Sequence, residues 1–219
     1  MTQRVVLDET FNPGRDIEVF LQDGFAEIYA KNADVLSHVK QPWPERGIIE
    51  LLVQRSSGQF IYAAAVLKFV GADFCNPMTQ LALILKPDPT AFSNLDQLYT
   101  QILSVYPNTV NMVQVLGIIA AFDAKTLIPA VIEDILQMEK GDVMLVLRCL
   151  SSLIAFVDER HLWEIVNVGS VHFTHASFGD YLEDPSRSGP FHINKEDHKN
   201  QAIIRCFSLI SRLIGRSWR

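Results

Sequence analysis

His175 is the side chain in this sequence best placed to do chemistry. It stands in Phe173-Thr174-His175-Ala176-Ser177-Phe178-Gly179-Asp180-Tyr181-Leu182, where a β-type run ends and a helix begins. An imidazole at such a junction can donate a hydrogen bond to a phosphate oxygen. It can equally be satisfied by backbone groups at the turn or packed against the neighbouring strands. On the residues alone both readings stand. His172 lies three positions earlier, but a strand alternates its faces and no third ligand adjoins, so a metal pair is not expected. His38, His161, His192 and His198 sit in polar surroundings and are expected at the surface.

Other reactive residue types lead to no active site. Asp180 and Asp184 lack an accompanying nucleophile or sugar-binding aromatic set, and Asp180 is expected to complement the start of its helix. Cys75, Cys149 and Cys206 are far apart and form no CxxC pair, so each is expected to be a small buried hydrophobe rather than a metal ligand or disulfide partner. A phosphate cradle needs exposed glycine N–H groups with Lys and Ser/Thr beside them, and no Gly-Lys dipeptide occurs anywhere in the chain. Val5-Val6-Leu7-Asp8-Glu9 has the form of a strand ending in two acids for metal and water. Without an upstream phosphate loop it is read as a strand exit, and no nucleotide hydrolysis is expected of this chain.

The elements that would position these residues follow from periodicity. A short strand is expected at 3–7, and Asn12-Pro13 opens a helix at 13–31 with Ile17, Phe20, Leu21, Phe25 and Ile28 on one face. Gly24 within it permits close packing. Pro42-Trp43-Pro44 precedes a helix at 44–55, and Ser56-Ser57-Gly58 leads into an apolar helix from Gln59 to Val70. Further helices are expected at 77–86 and 94–105, separated by Pro87-Asp88-Pro89. After Pro107, helices at 109–121, 126–137 (capped by Thr126) and 141–153 precede β-type runs at 154–157, 162–167 and 170–174. A final helix is expected over 194–214. The fold class expected is mainly α: a helical bundle domain followed by a winged-helix domain with a small β-hairpin. The divisions are 1–12 as a remnant strand, 13–106 as a helical domain, 107–190 as the winged helix and 191–219 as a following helical segment.

Composition narrows the class. Hydrophobic residues make up 48% and charged residues 20% of the 219 positions, which is the profile of an ordered globular chain. The formal charge of −6 opposes general nucleic-acid binding, which depends on neutralising phosphates. Arg205, Arg212, Arg216 and Arg219 form a local basic run, read as solvated charges on a terminal helix. No run is long and apolar enough to span a bilayer, and no secretory leader is legible, so an intracellular, cytoplasmic setting is the expectation.

Several blocks, taken in order, resemble one family. They are Leu7-Asp8-Glu9 with Phe11-Asn12-Pro13, Asp16-Ile17 and Phe20-Leu21; Trp43-Pro44 with Leu52-Val53 and Ser56-Ser57-Gly58-Gln59-Phe60-Ile61-Tyr62-Ala63; and Leu98-Tyr99-Thr100-Gln101-Ile102-Leu103. Gly141-Asp142-Val143, Leu150-Ser151-Ser152-Leu153 and the His175 block complete the set. Together they are similar to the region after the nucleotide-binding core in fungal NACHT-domain signal-transducing NTPases of the STAND class. The resemblance implies a regulatory, non-catalytic helical and winged-helix portion of a nucleotide switch, a fragment lacking the phosphate loop. It implies that His175 reaches a nucleotide phosphate, and that the helix start at Gly58 and Phe60 lies beside the adenine, in a protein that has the nucleotide-binding domain. Phe60 can alternatively seed the bundle core. ADP or ATP is implied for the full-length relative, with no cofactor for this chain alone. The implied partners are a nucleotide-binding domain in cis or a related NACHT protein in trans, with oligomerisation on opening. Gly179 departs from the family, which carries a long polar residue there. Two other functions compete: a winged-helix DNA-binding regulator and a freestanding protein–protein adaptor. The helix at 141–153 opposes the former, because Arg148 is its one basic residue where a recognition helix needs several groups for phosphates and base edges.

Overall fold

The computed structural model describes residues 13–73, 75–87, 91, 93–122, 128–159 and 168–217. The protein is mainly helical, with a single two-stranded sheet among the described residues. They fall into two compact units, divided after Pro87.

The first unit contains α1 (Pro13–Lys31), α2 (Arg46–Ser56), α3 (Phe60–Val70) and α4 (Pro77–Leu85). α1 buries Ile17, Leu21, Phe25 and Ile28, the helical stripe expected from the sequence. Phe20, read as part of that stripe, is instead exposed. α3 buries residues around most of its circumference, among them Tyr62, Val66 and Phe69. Burying side chains such as Val66 and Phe69 contributes about 1.5–3 kcal/mol each. At Gly24 a Cβ would stand 2.3 Å from Leu67 Cδ1, so the absence of a side chain lets α1 and α3 approach. Asn76 Oδ1 accepts from the Met78 and Thr79 N–H groups at 2.9 and 3.3 Å, with Pro77 at the first helical position, and so starts α4. The Arg55 guanidinium donates to the Ile84 carbonyl at 2.9 Å, satisfying the far end of the same helix.

The second unit contains α5 (Asn94–Leu103), α6 (Thr109–Ala121), α7 (Pro129–Leu136), α8 (Asp142–Cys149), β1 (Ile154–Glu159), β2 (Val168–Phe173), α9 (Ala176–Glu183), the four-residue α10 (Pro185–Ser188), a 3-10 turn at Gly189–Phe191, and α11 (Lys195–Ser217). The sequence division after residue 106 put α5 with the first bundle. Its buried face instead carries Asp96 and Tyr99, whose partners Arg187 and Ser177 lie in the second unit.

α8 ends at Cys149 rather than 153. Leu150 and Leu153 stay buried, but in a turn closed by the Leu153 N–H to the Leu150 carbonyl at 2.8 Å. Helical apolar spacing cannot distinguish that turn from another turn of helix. The start of α8 is held by Glu133 of α7, whose buried carboxylate accepts the Gly141 N–H at 2.8 Å. β1 and β2 pair antiparallel from Ile154 opposite Phe173 to Glu159 opposite Val168. The strands are longer than the expected runs at 154–157 and 170–174: pairing carries on through Asp158 and Glu159 opposite Gly169 and Val168. The strands expected at 3–7 and 162–167, the Asn12 and Thr126 caps, and the acids Asp8 and Glu9 lie outside the described residues.

The expectations for His198 and for the three cysteines are corrected. His198, read as a surface histidine, is half-buried, and its ring lies where a Cβ on Gly117 would be, 1.9 Å from His198 Cδ2. Gly117 is what allows α11 to press this close to α6, and burial there lowers the imidazole pKa below 6.5. The cysteines were expected inside. Cys75 and Cys149 are exposed, Cys206 is half-buried, and none forms a disulfide. Cys149 falls outside the Val143, Val146 and Leu147 stripe that α8 turns to the core. On α11, Ile203, Ile204, Phe207 and Ile210 are exposed.

Candidate functional site

The candidate site is built where the hairpin hands the chain to α9. β2 ends at Phe173, and Thr174 donates from both its N–H and its hydroxyl to the Leu153 carbonyl, at 2.9 and 3.1 Å. That clamp fixes the direction in which the chain leaves the sheet. His175 follows in an extended conformation and caps α9: its Nδ1 accepts the Ser177 N–H at 3.1 Å. A backbone N–H can only donate, so Nδ1 is the unprotonated nitrogen of the neutral ring and the network assigns the proton to Nε2. Ser177 Oγ lies 2.7 Å from the same Nδ1. The residue is exposed, and Nε2–H has no hydrogen-bond partner among the described residues, so it is left to donate to an external acceptor. Backbone capping and outward donation, the two readings open in the sequence, therefore use different nitrogens of one ring.

Behind His175 is a buried aromatic cluster. Tyr99 of α5 sits with its ring centroid 5.0 Å from Phe178 and 5.3 Å from Tyr181, and Phe173 meets Phe178 edge-on at 5.1 Å. The polar tips of the tyrosines are paired. Tyr99 Oη is 2.8 Å from Ser177 Oγ, and Tyr181 Oη is 2.8 Å from Thr100 Oγ1. Burial pushes the Tyr181 phenol up to about 12 and raises that of Tyr99 as well. Asp96 receives Arg187 through Nη2 at 2.7 Å and Nε at 3.2 Å, and the guanidinium lies 6.0 Å from the Tyr181 ring centroid. The Asp96 carboxylate holds the Arg187 pKa above its usual value. The junction carrying His175 is thus fastened to α5 by two hydroxyl pairs and one ion pair.

Gly179, noted as a departure, lines an open groove of about 510 Å³ with His172, Phe173, Ala176, Asp180 and Lys195. A Cβ at Gly179 would stand 3.5 Å from Phe173 Cδ2, an ordinary contact, so the backbone does not demand glycine there. His172 is exposed on β2. Asp180 is exposed in the middle of α9, not at its start. Asp184 is the residue that caps a helix. Its Oδ1 accepts from Ser186 N–H and Oγ at 2.9 and 2.6 Å, which lowers its pKa. No group of three or more His, Cys, Asp or Glu side chains among the described residues could hold a metal ion.

Gly58 and Phe60 belong to the first unit. Ser57 and Gly58 both take positive φ, 50° and 78°, which turns α2 into α3 over two residues; only glycine adopts this without strain. Phe60, at the start of α3, is not in the core: it is 45% exposed, with its ring tilted on Phe20 at 5.9 Å. The core of α3 begins with Tyr62 and Ala63.

Sequence reasoning missed Tyr99, Asp96 and Arg187. A signal existed in Asp96, Tyr99 and Thr100, which follow at helical spacing between Leu95 and Leu103. No family model, curated protein or solved structure matches this chain. No helix among the described residues is long and apolar enough to cross a membrane.

Proposed function

We propose that this chain is the regulatory, non-catalytic part of a NACHT-type nucleotide switch, with His175 as its phosphate sensor. The first unit supplies the helical domain; α6, α7, α8 and the β1–β2 hairpin supply the winged helix. The observation that carries the reading is the division of labour in the His175 ring. Nδ1 is committed to capping α9, and Nε2–H remains as an exposed donor of a kind that suits a phosphate oxygen. Gly58 and Phe60 extend the reading. A glycine turn followed by an exposed aromatic ring offers a flat apolar surface to a base. Closure over ADP in a nucleotide-binding domain, in cis or on a related protein, would hold the switch inactive, and release would open it.

The test joins this chain to an upstream nucleotide-binding domain and follows ADP dissociation. His175→Ala removes one hydrogen bond to a charged acceptor, so release should accelerate roughly ten-fold or more. Equal ADP release from the parent and the variant would remove His175 from the mechanism.

A further inference from the structure

The geometry points to Tyr99 as a positioning residue for His175, acting through Ser177: it fixes which imidazole nitrogen carries the proton. This deepens the sensor reading and rests on it for its functional meaning, though not for its chemistry. Tyr99 is 1% exposed, and a buried phenol needs a hydrogen-bond partner. The partner it has is Ser177 Oγ at 2.8 Å. A tyrosine O–H that donates there leaves the serine proton to go on to His175 Nδ1, 2.7 Å away. The Ser177 N–H converges on the same nitrogen at 3.1 Å. The direction of donation is then set along the whole chain of groups, from Tyr99 Oη to Ser177 Oγ to Nδ1, and the imidazole proton is confined to Nε2.

The link runs between elements far apart in sequence. Tyr99 and Ser177 are separated by 78 positions, and Tyr99 belongs to α5 while Ser177 is in the first turn of α9. α5 is held at this place by the neighbouring Thr100–Tyr181 and Asp96–Arg187 pairs. Withdrawing α5 from α9 would leave Ser177 Oγ free to accept from Nδ1–H, with the acceptor nitrogen then facing outward at Nε2. The Ser177 N–H would still favour a proton on Nε2, so a phosphate sensor would keep its donor in a smaller share of molecules, without any movement of His175 itself. The position of α5 is therefore the quantity that the imidazole reports.

The experiment uses the 219-residue chain labelled with nitrogen-15, without any nucleotide. Long-range proton–nitrogen spectra at neutral pH read the tautomer of His175, a property that general destabilisation does not set. In the parent, the Nε2–H form should dominate. Tyr99→Phe keeps the ring in its aromatic cluster and removes only the hydroxyl, and it should raise the ratio of Nδ1–H to Nε2–H roughly five-fold, the worth of one ordinary hydrogen bond. Ser177→Ala should do the same, and Ser177→Thr, which restores a hydroxyl, should return the parental ratio. A parental ratio in folded Tyr99→Phe overturns the inference. Should that variant fail to fold, a parental ratio in Ser177→Ala overturns it instead. The nucleotide reading fails separately: shifted tautomers with ADP release insensitive to His175→Ala would keep the positioning role and discard the sensor.

Discussion

Asp96 and Arg187, ninety-one positions apart, meet in a two-point ion pair with Nη2–Oδ1 at 2.7 Å and Nε–Oδ2 at 3.2 Å. The carboxylate side chain is 4% exposed and the guanidinium 28%. Two donors aligned on two acceptors fix orientation as well as distance, and this pair sets where α5 lies against α10.

The first prediction concerns that pair. Asp96→Asn or Arg187→Met alone should each cost about 2–4 kcal/mol, because each leaves the partner desolvated. The double variant should recover at least about 1 kcal/mol of the summed loss. Urea denaturation of the four proteins measures this, and strictly additive losses would show that the two side chains are not coupled.

At the α6–α11 contact the sign of one substitution depends on another residue. Gly117→Ala should gain about 1 kcal/mol of helix propensity but lose about 1–3 kcal/mol to the collision with His198, for no gain or a net loss. In a His198→Ala background the collision is gone, and the same Gly117→Ala should stabilise by about 1 kcal/mol. Thermal midpoints in the two backgrounds provide the check. A stabilising effect of equal size in both would refute the close approach.

His198 also sets part of the acid limb. Burial lowers its folded pKa below 6.5, with Arg205 adding to the shift and Asp197 opposing it. The unfolded chain therefore takes up the proton first as pH falls. The stability His198 contributes is complete above about 6.5 and is lost as pH drops through the folded value. Urea midpoints between about pH 7.5 and 5.5 should fall more steeply in the parent than in His198→Gln. Parallel slopes would assign the acid sensitivity to other groups.

The alkaline limb has the opposite sign. Tyr181 keeps its proton to about 12 when folded against a reference of 10.0, so the unfolded state ionises first. Its stabilising contribution is present below about pH 10 and is lost as pH rises toward 12. Tyr181→Phe should flatten the fall in stability above about pH 10 while losing the Thr100 hydrogen bond at every pH. The raised phenols of Tyr62 and Tyr99 leave a residual slope. An unchanged slope in Tyr181→Phe would contradict the burial argument.

Helix positions were legible because apolar spacing and local caps write them directly: Pro13–Lys31 is the span that Ile17, Leu21, Phe25 and Ile28 announce. His175 was legible as a junction residue because the β-type run and the helix start flank it. What escaped was non-local. Nothing near Glu133 says that its carboxylate will start α8, and nothing near His198 says that Gly117 will receive its ring. Tyr99 reads as a core aromatic on an amphipathic helix until Ser177 is placed beside its hydroxyl. Hydrophobic character alone also misjudged Phe60 and Cys149, since an apolar residue at a helix end faces wherever the end points.

Cys75 lies exposed in the first unit and Cys149 exposed in the second. The protein therefore carries its own pair of labelling positions. With Cys206→Ser to silence the remaining thiol, a donor and an acceptor dye attached at those two positions would turn any reorientation of the units into a change in energy-transfer efficiency. The motion that the proposed switch requires could then be looked for in single molecules on addition of a nucleotide-binding domain.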